Sequence, residues 1–164
     1  MIIYFRQSII LLQNRIFASH DKIILTLSEN EMTKMTFITF GKVKSGPIKD
    51  MIEYYLMLLG KYTKTEYRVL KDVDARPVEA GDLNSSFREL GYTIAVSEHG
   101  TDFTTEGFKF FVDKRFRYEE NITFIFGNAF GLHQEFLQKC DYSIALSKLT
   151  FTHELAIVLM IEQL

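Results

Sequence analysis

The 164-residue chain is 47% apolar, 24% charged and 14% aromatic, with two prolines, one cysteine and a formal net charge of -2. A domain of this length buries about two-thirds of its unfolded surface and needs neither a disulfide framework nor a structural metal to hold a core; the lone Cys140 supplies neither, and no metal is expected. The balance of 19 basic against 21 acidic residues lacks the strongly basic face by which binders of free nucleic acid drive counterion release, so an RNA partner must be met by a local patch or a preformed surface.

Residues 1–31 interrupt short apolar runs such as Ile9-Ile10-Leu11-Leu12 with polar side chains. They fall short of the roughly 20 consecutive apolar residues of a bilayer-spanning helix. Arg6 and Arg15 flank too short an apolar core for a signal peptide, and no convincing small-residue cleavage site follows. Met32 and Met35 each stand just before a clean strand pattern. Residues 1–31 are therefore read as an extension outside the domain, translated from an early start codon, in preference to an added strand or helix. No membrane segment and a reducing, cytoplasmic location are expected.

From Met35 strands and helices alternate. Thr36 to Phe40 reads as a strand closed by Gly41. Between Pro47 and Thr63, Ile48, Met51, Ile52, Tyr55, Leu59 and Tyr62 fall on one helical stripe, with Pro47 suited to the first turn. Glu66 to Val73 reads as a second strand, and residues 74–90 as a polar loop with a short helix near Leu83 to Leu90. A third strand, Tyr92 to Ser97, ends in the turn Glu98-His99-Gly100. Thr104 or Thr105 then caps a helix that buries Phe108, Phe111 and Val112.

Asn121 to Phe126 is a nearly continuous apolar run of strand length, the pattern of a strand covered on both faces. It leads into Gly127-Asn128-Ala129-Phe130-Gly131 and a short helix with Leu132, Phe136 and Leu137. Tyr142 to Leu146 is a last short strand, and a final helix starts near His153. Five strands with intervening helices imply an α/β fold with a largely parallel sheet. Ligands of such sheets gather at the carboxyl ends of the strands, which selects the loops 97–103, 127–131 and 147–152. Taken alone, Gly127-x-x-x-Gly131 is a glycine-bearing turn, since it has neither the dinucleotide-binding spacing nor a Lys-Ser or Lys-Thr pair.

In combination these segments say more. Thr36 to Lys42, Val96 to Gly100, Thr104-Thr105-Glu106 with Phe108, Ile125 to Leu132, Ala145 to Leu155 and the closing Glu162-Gln163-Leu164 resemble the RlmH family. Its members are SPOUT-class methyltransferases that modify pseudouridine in bacterial 23S ribosomal RNA. The resemblance covers about residues 32–164, and its most specific block is Ser143 to Leu155. It implies a SPOUT domain over 32–164, a mostly parallel sheet flanked by helices, with the carboxyl end threaded as a deep trefoil knot, an exception to unknotted topology. It further implies S-adenosyl-L-methionine bent in the knot and held mainly by backbone groups. The contacts carry over to Val96, Gly127, Leu146, Ser147, Lys148, Leu149, Thr150 and Phe151. A cytoplasmic homodimer that methylates N3 of a pseudouridine on the ribosome completes what the resemblance implies. A glycine at 127 suits close approach of the chain to a ligand.

The chain departs from the family in places. Asn128 stands where the family has a second glycine, a place where a side chain crowds the cofactor or calls for a positive φ, and Phe130 stands where it has an acidic residue. Ile157 replaces a frequent arginine, and the family's tail with Tyr-His beyond the Glu-Gln-Leu is missing, so the domain is read as truncated at its C-terminus. No catalytic residue is assigned. His99 reads as an exposed loop residue, His133 as solvent-side, His153 as a helix N-terminal residue beside the knot loop, and Cys140 as a small core residue. Phe108, Phe110 and Phe111 read as core, and Lys109, Lys114, Arg115 and Arg117 as a solvated face. Leu155 to Ile161 is apolar all round, which calls for cover by another layer, in the family a two-fold partner. Two other readings stand beside the methyltransferase: a degenerate or truncated copy that keeps fold and dimer without activity, and an unrelated flavodoxin-like binding domain.

Overall fold

The computed structural model describes residues 33–119 and 121–164; the extension read over residues 1–31, with His20, lies outside the described residues, as does Met32. The described strands are β1 (Lys34–Phe40), β2 (Lys64–Leu70), β3 (Tyr92–Asp102), β4 (Asn121–Phe126) and β5 (Tyr142–Ala145). The helices are α1 (Gly46–Leu59), α2 (Thr105–Tyr118), α3 (Gln134–Lys139) and α4 (His153–Gln163), with short 3-10 turns at Ala80–Asp82 and Phe87–Leu90.

All strand pairs are parallel, in the order β2-β1-β4-β3-β5. Insertion of β4 between β1 and β3 departs from the flavodoxin-like order 2-1-3-4-5, which sets that alternative aside. Burial explains the composition of the strands. From Met35 to Phe40 and from Ile122 to Phe126 every residue is buried, because helices cover both faces and no polar alternation is needed. At the edge, β2 carries Lys64, Glu66 and Arg68 and is mostly half-buried.

The pleat sends alternate residues into two cores. On one face Met35, Phe37, Phe124 and Phe126 meet Ile52 and Leu59 of α1, Phe108 and Val112 of α2, and Ile157, Val158 and Ile161 of α4. Phe37 and Phe124 stack there with ring centroids 5.5 Å apart. On the other face Ile38, Phe40 and Ile125 meet Val78, Leu83, Leu90 and Phe136.

Local chemistry sets the boundaries. The Thr104 hydroxyl accepts the Gly107 N–H at 3.1 Å and starts α2 as expected. Helix α1 stops at Leu59, short of Thr63, because Gly60 caps it and Lys61, Tyr62 and Thr63 donate back to Leu58 and Leu59 in a turn. Of its expected stripe, Ile52 and Leu59 are buried, whereas Met51 is 43% exposed. The short helix expected near residues 83–90 is only a 3-10 turn at Phe87–Leu90.

Two corrections bear on function. The third strand does not end at Ser97: it pairs with β5 up to Val96, shifts register, and pairs again from Thr101 to Asp102. Gly100 makes the second pairing possible, since a Cβ there would lie 2.4 Å from the carbonyl carbon of Ile144. Phe110 is not core; it is 73% exposed, while Phe108 is buried and Phe111 half-buried. The ring at 110 falls on the solvent side of α2, two positions from the inward Phe108 and Val112.

The last helix finds most of its cover inside the chain. It packs on α1 and β4, burying Ile157, Val158, Met160 and Ile161, and Leu155 stays 37% exposed. Ile157, at the position of the family's frequent arginine, is fully buried.

Candidate functional site

The register brings the three selected loops together. Val96 of β3 pairs with Phe126, the last residue of β4, on one side and with Ile144 of β5 on the other. Val96, Phe126 and Ile144 therefore lie at one level of the sheet, and the residues that follow them line a cavity of about 620 Å³. That volume lies in the range of small-molecule sites, about 300–1,000 Å³. Val96, Gly127, Leu146, Ser147, Leu149, Thr150 and Phe151 all line it, and Lys148 does not. Lys148 is exposed on the same loop.

Each loop is tied down. Thr150 donates its hydroxyl to Glu98 Oε2 at 2.7 Å, joining the loop after β5 to the turn within β3. The Leu149 N–H donates to Ser147 Oγ at 3.0 Å, a local turn that shapes the 147–150 segment. Glu154, in the first turn of α4, accepts the Lys44 N–H at 2.7 Å and so attaches the loop after β1 to the same region. On the third side Val78 accepts the His133 N–H at 2.8 Å and donates to Gly131 at 3.0 Å.

The glycine loop is the tightest of the three. An added Cβ at Gly127 would lie 2.5 Å from the Gly131 carbonyl carbon, so the glycine is required by the loop folding back on itself. That is a different reason from the ligand approach expected for it. Gly131 closes the turn at φ +79, and the space where its Cβ would point is open.

Asn128 has no positive φ; among the described residues only Ala75 does so without being glycine. Its buried amide leans on the segment after β2, donating to Asp72 Oδ1 at 3.1 Å, Val73 O at 2.8 Å and Arg76 O at 3.1 Å. Its own Oδ1 accepts the Phe130 N–H at 2.9 Å. The residue that departs from the family pattern thus serves as the anchor of the loop.

The sequence reading missed part of the lining: Glu98, Asn128, Phe130, His153 and Glu154 all contribute. Their position inside or just after the selected loops was the available signal. His99 lines the cavity with a side chain 75% exposed, 3.7 Å from Glu98 Oε1. His133 is outside the lining, exposed, and caps α3. Cys140 ends α3 in the second core, where burial pushes its thiol up to about 12. It therefore stays protonated and inert near neutrality.

Two of the four basic residues on α2 are engaged with other side chains. Lys109 pairs with Asp113 at 2.7 Å, and Arg115 lies 4.1 Å above the Tyr92 ring while reaching Glu119 at 3.5 Å. Lys114 and Arg117 are exposed. Among the described residues no group of three or more His, Cys, Asp or Glu is placed to hold a metal, and no helix is long and apolar enough to cross a membrane.

The sequence is similar to those of known proteins. A family model described as "Predicted SPOUT methyltransferase" matches residues 33–164. Ribosomal RNA large subunit methyltransferase H 1 of Clostridium perfringens is 30% identical over 142 residues, covering 79% of this chain and 89% of the relative. Ribosomal RNA large subunit methyltransferase H of Clostridium acetobutylicum shows the same identity and coverage. The protein of that name from Ruminiclostridium cellulolyticum is 27% identical over 144 residues, 80% of this chain and 91% of its own. With the family model spanning every described element, the chain belongs to the SPOUT methyltransferase family.

Proposed function

We propose that this chain is a large-subunit rRNA methyltransferase that uses S-adenosyl-L-methionine to methylate N3 of a pseudouridine in 23S rRNA, as a cytoplasmic homodimer. One observation carries the reading: the turn within β3 and the loops after β4 and β5 line one cavity in a chain similar along most of its length to relatives named for this activity.

The lining suits the cofactor. Val96, Leu132 and Leu146 offer apolar walls for a nucleoside, and Glu98 and Glu154 bring carboxylates opposite in sign to a sulfonium. Val96, Gly127, Leu146, Ser147, Leu149, Thr150 and Phe151 would hold it, with Lys148 at the outside of the same loop. When bound, the cofactor supplies a methyl group on a sulfonium centre, whose transfer is an in-line displacement dominated by positioning. Thr150, bonded to Glu98, ties the loop after β5 to the turn within β3, and the Leu149–Ser147 bond shapes that loop locally. A base is needed only for the N3 proton; His99 and His153 line the cavity, and neither is assigned that role.

The trefoil knot belongs to the same proposal. Its support is the family model matched over residues 33–164. The homodimer rests on apolar side chains left outside: Met51, Tyr54 and Met57 on α1 and Leu155 on α4, two helices that pack on each other.

Titration calorimetry with S-adenosyl-L-methionine is expected to show micromolar-range binding, with light scattering giving twice the chain mass. Absence of heat from the dimeric protein rejects the cofactor. Mass spectrometry of 23S rRNA from ribosomes of a strain lacking the activity, incubated with protein and cofactor, is expected to show a new methyl-pseudouridine. Cofactor binding without that mark selects the inactive, degenerate copy instead.

A further inference from the structure

Phe130 is a large apolar side chain that the fold leaves 58% exposed while placing it on the cavity wall. Exposed aromatics are ordinary on a surface, and Tyr54, Phe110 and Tyr118 lie on helices outside the cavity lining. Phe130 differs in how it is held. Its N–H donates to Asn128 Oδ1 at 2.9 Å, and the Gly131 N–H donates to Asn128 O at 3.0 Å. The Asn128 amide is itself anchored on Asp72, Val73 and Arg76. Gly127 packs against the Gly131 backbone beneath the same turn. A ring presented on so constrained a turn loses little backbone freedom when it makes a contact. Leu149, 73% exposed, is the other large apolar side chain of the lining that stands exposed.

We propose that the Phe130 ring stacks on an unpaired nucleobase of the RNA substrate at the mouth of the cavity, and so sets substrate binding without taking part in cofactor binding. The role rests on the rRNA methyltransferase reading above. Sequence-specific RNA recognition works largely on unstacked bases laid against aromatic rings. Stacking also suits a chain whose net charge of -2 gives it little general attraction for phosphates. The occupant is a base face, because a planar apolar ring next to a methyl-transfer cavity matches a flat π-surface.

The test compares Phe130→Ala, Phe130→Leu and Phe130→Tyr with the unaltered chain on ribosomes from a strain lacking the methyl mark. Loss of one base stack raises KM for ribosomes by about 5- to 140-fold in the alanine and leucine variants, and tyrosine restores it to within about threefold. Cofactor affinity by calorimetry stays within about twofold in all three, and the loss is the same at low and moderate salt, because stacking releases no counterions. A leucine variant equal to the unaltered chain overturns stacking. So does an alanine variant whose cofactor affinity falls in step with its KM, which makes the ring a cofactor wall. If the unaltered chain transfers methyl groups and alanine changes nothing, only this role fails. If the unaltered chain transfers none, the methyltransferase reading fails and this role with it.

Discussion

The Thr150 hydroxyl and the Glu98 carboxylate meet at 2.7 Å across 52 positions of sequence, closing one side of the cavity with an exposed hydrogen bond. Such a bond contributes about 0.5–1.5 kcal/mol to folding. Thr150→Ala is therefore expected to lower the melting temperature by only a few degrees while weakening S-adenosyl-L-methionine binding several-fold, because the loop loses its register. Thr150→Ser keeps the hydroxyl and is expected to restore affinity. Calorimetry beside thermal melting checks both, and equal affinity in all three proteins refutes a role for the bond in the site.

Gly127 and Gly131 predict opposite costs for the same substitution. Gly127→Ala drives a methyl group to 2.5 Å from backbone, whereas Gly131→Ala meets nothing within 4 Å and suffers only from its φ of +79. The second change is expected to cost about 1 kcal/mol. The first is expected to cost well over 2 kcal/mol, because backbone rather than a flexible side chain must move. Urea unfolding of the two variants measures the order, and a reversed order counts against the observed packing of the loop.

Asn128 gives a test with a charge in it. Asn128→Ala leaves Val73 O and Arg76 O without their side-chain donor, which is expected to destabilise by about 2–4 kcal/mol. Asn128→Asp is expected to be worse at neutral pH, since it sets a carboxylate against the Asp72 carboxylate and two carbonyls. Burial beside like charge raises the folded pKa of the new carboxyl, so part of its deficit should return as pH falls and the group protonates. Unfolding curves at neutral and mildly acidic pH decide it; an aspartate variant as stable as alanine at both would falsify the donor role.

Acid stability should depend on Glu66. Hydrogen bonds from Arg68 at 2.7 and 2.8 Å, then from Lys34 at 2.6 Å, hold its carboxyl at about 2 against an ordinary 4.5. A folded pKa below the unfolded one means the contribution is fully present above about pH 4.5 and disappears as pH falls toward 2. All three side chains are about a third exposed or more, so solvent and salt screen the effect and it stays small. Melting temperatures of the unaltered chain and Glu66→Gln should differ near neutrality, converge below about pH 4.5 and differ less at high salt. A gap that persists unchanged to pH 3 points to packing instead of charge.

Much of the fold is legible in the chain because its signals are local. The unbroken apolar run of β4 announces a strand covered on both faces, Thr104 announces the start of α2, and alternation of strands with helices announces a parallel sheet whose carboxyl ends carry the site. The three loops that meet at the cavity follow from that alone, and seven of the eight residues carried over by resemblance do line it.

Tertiary structure decided what depends on contacts between distant residues. The place of β4 between β1 and β3, the second pairing of β3 with β5 past Gly100, the exposure of Phe110 and the anchoring of Asn128 on residues 72–76 all depend on which segment lies opposite. Hydrophobic period and cap residues select a local conformation that can bury one face. They carry no information about the neighbour that supplies the cover, the hydrogen-bond acceptor or the steric limit, and those neighbours make a glycine turn into one wall of a cavity.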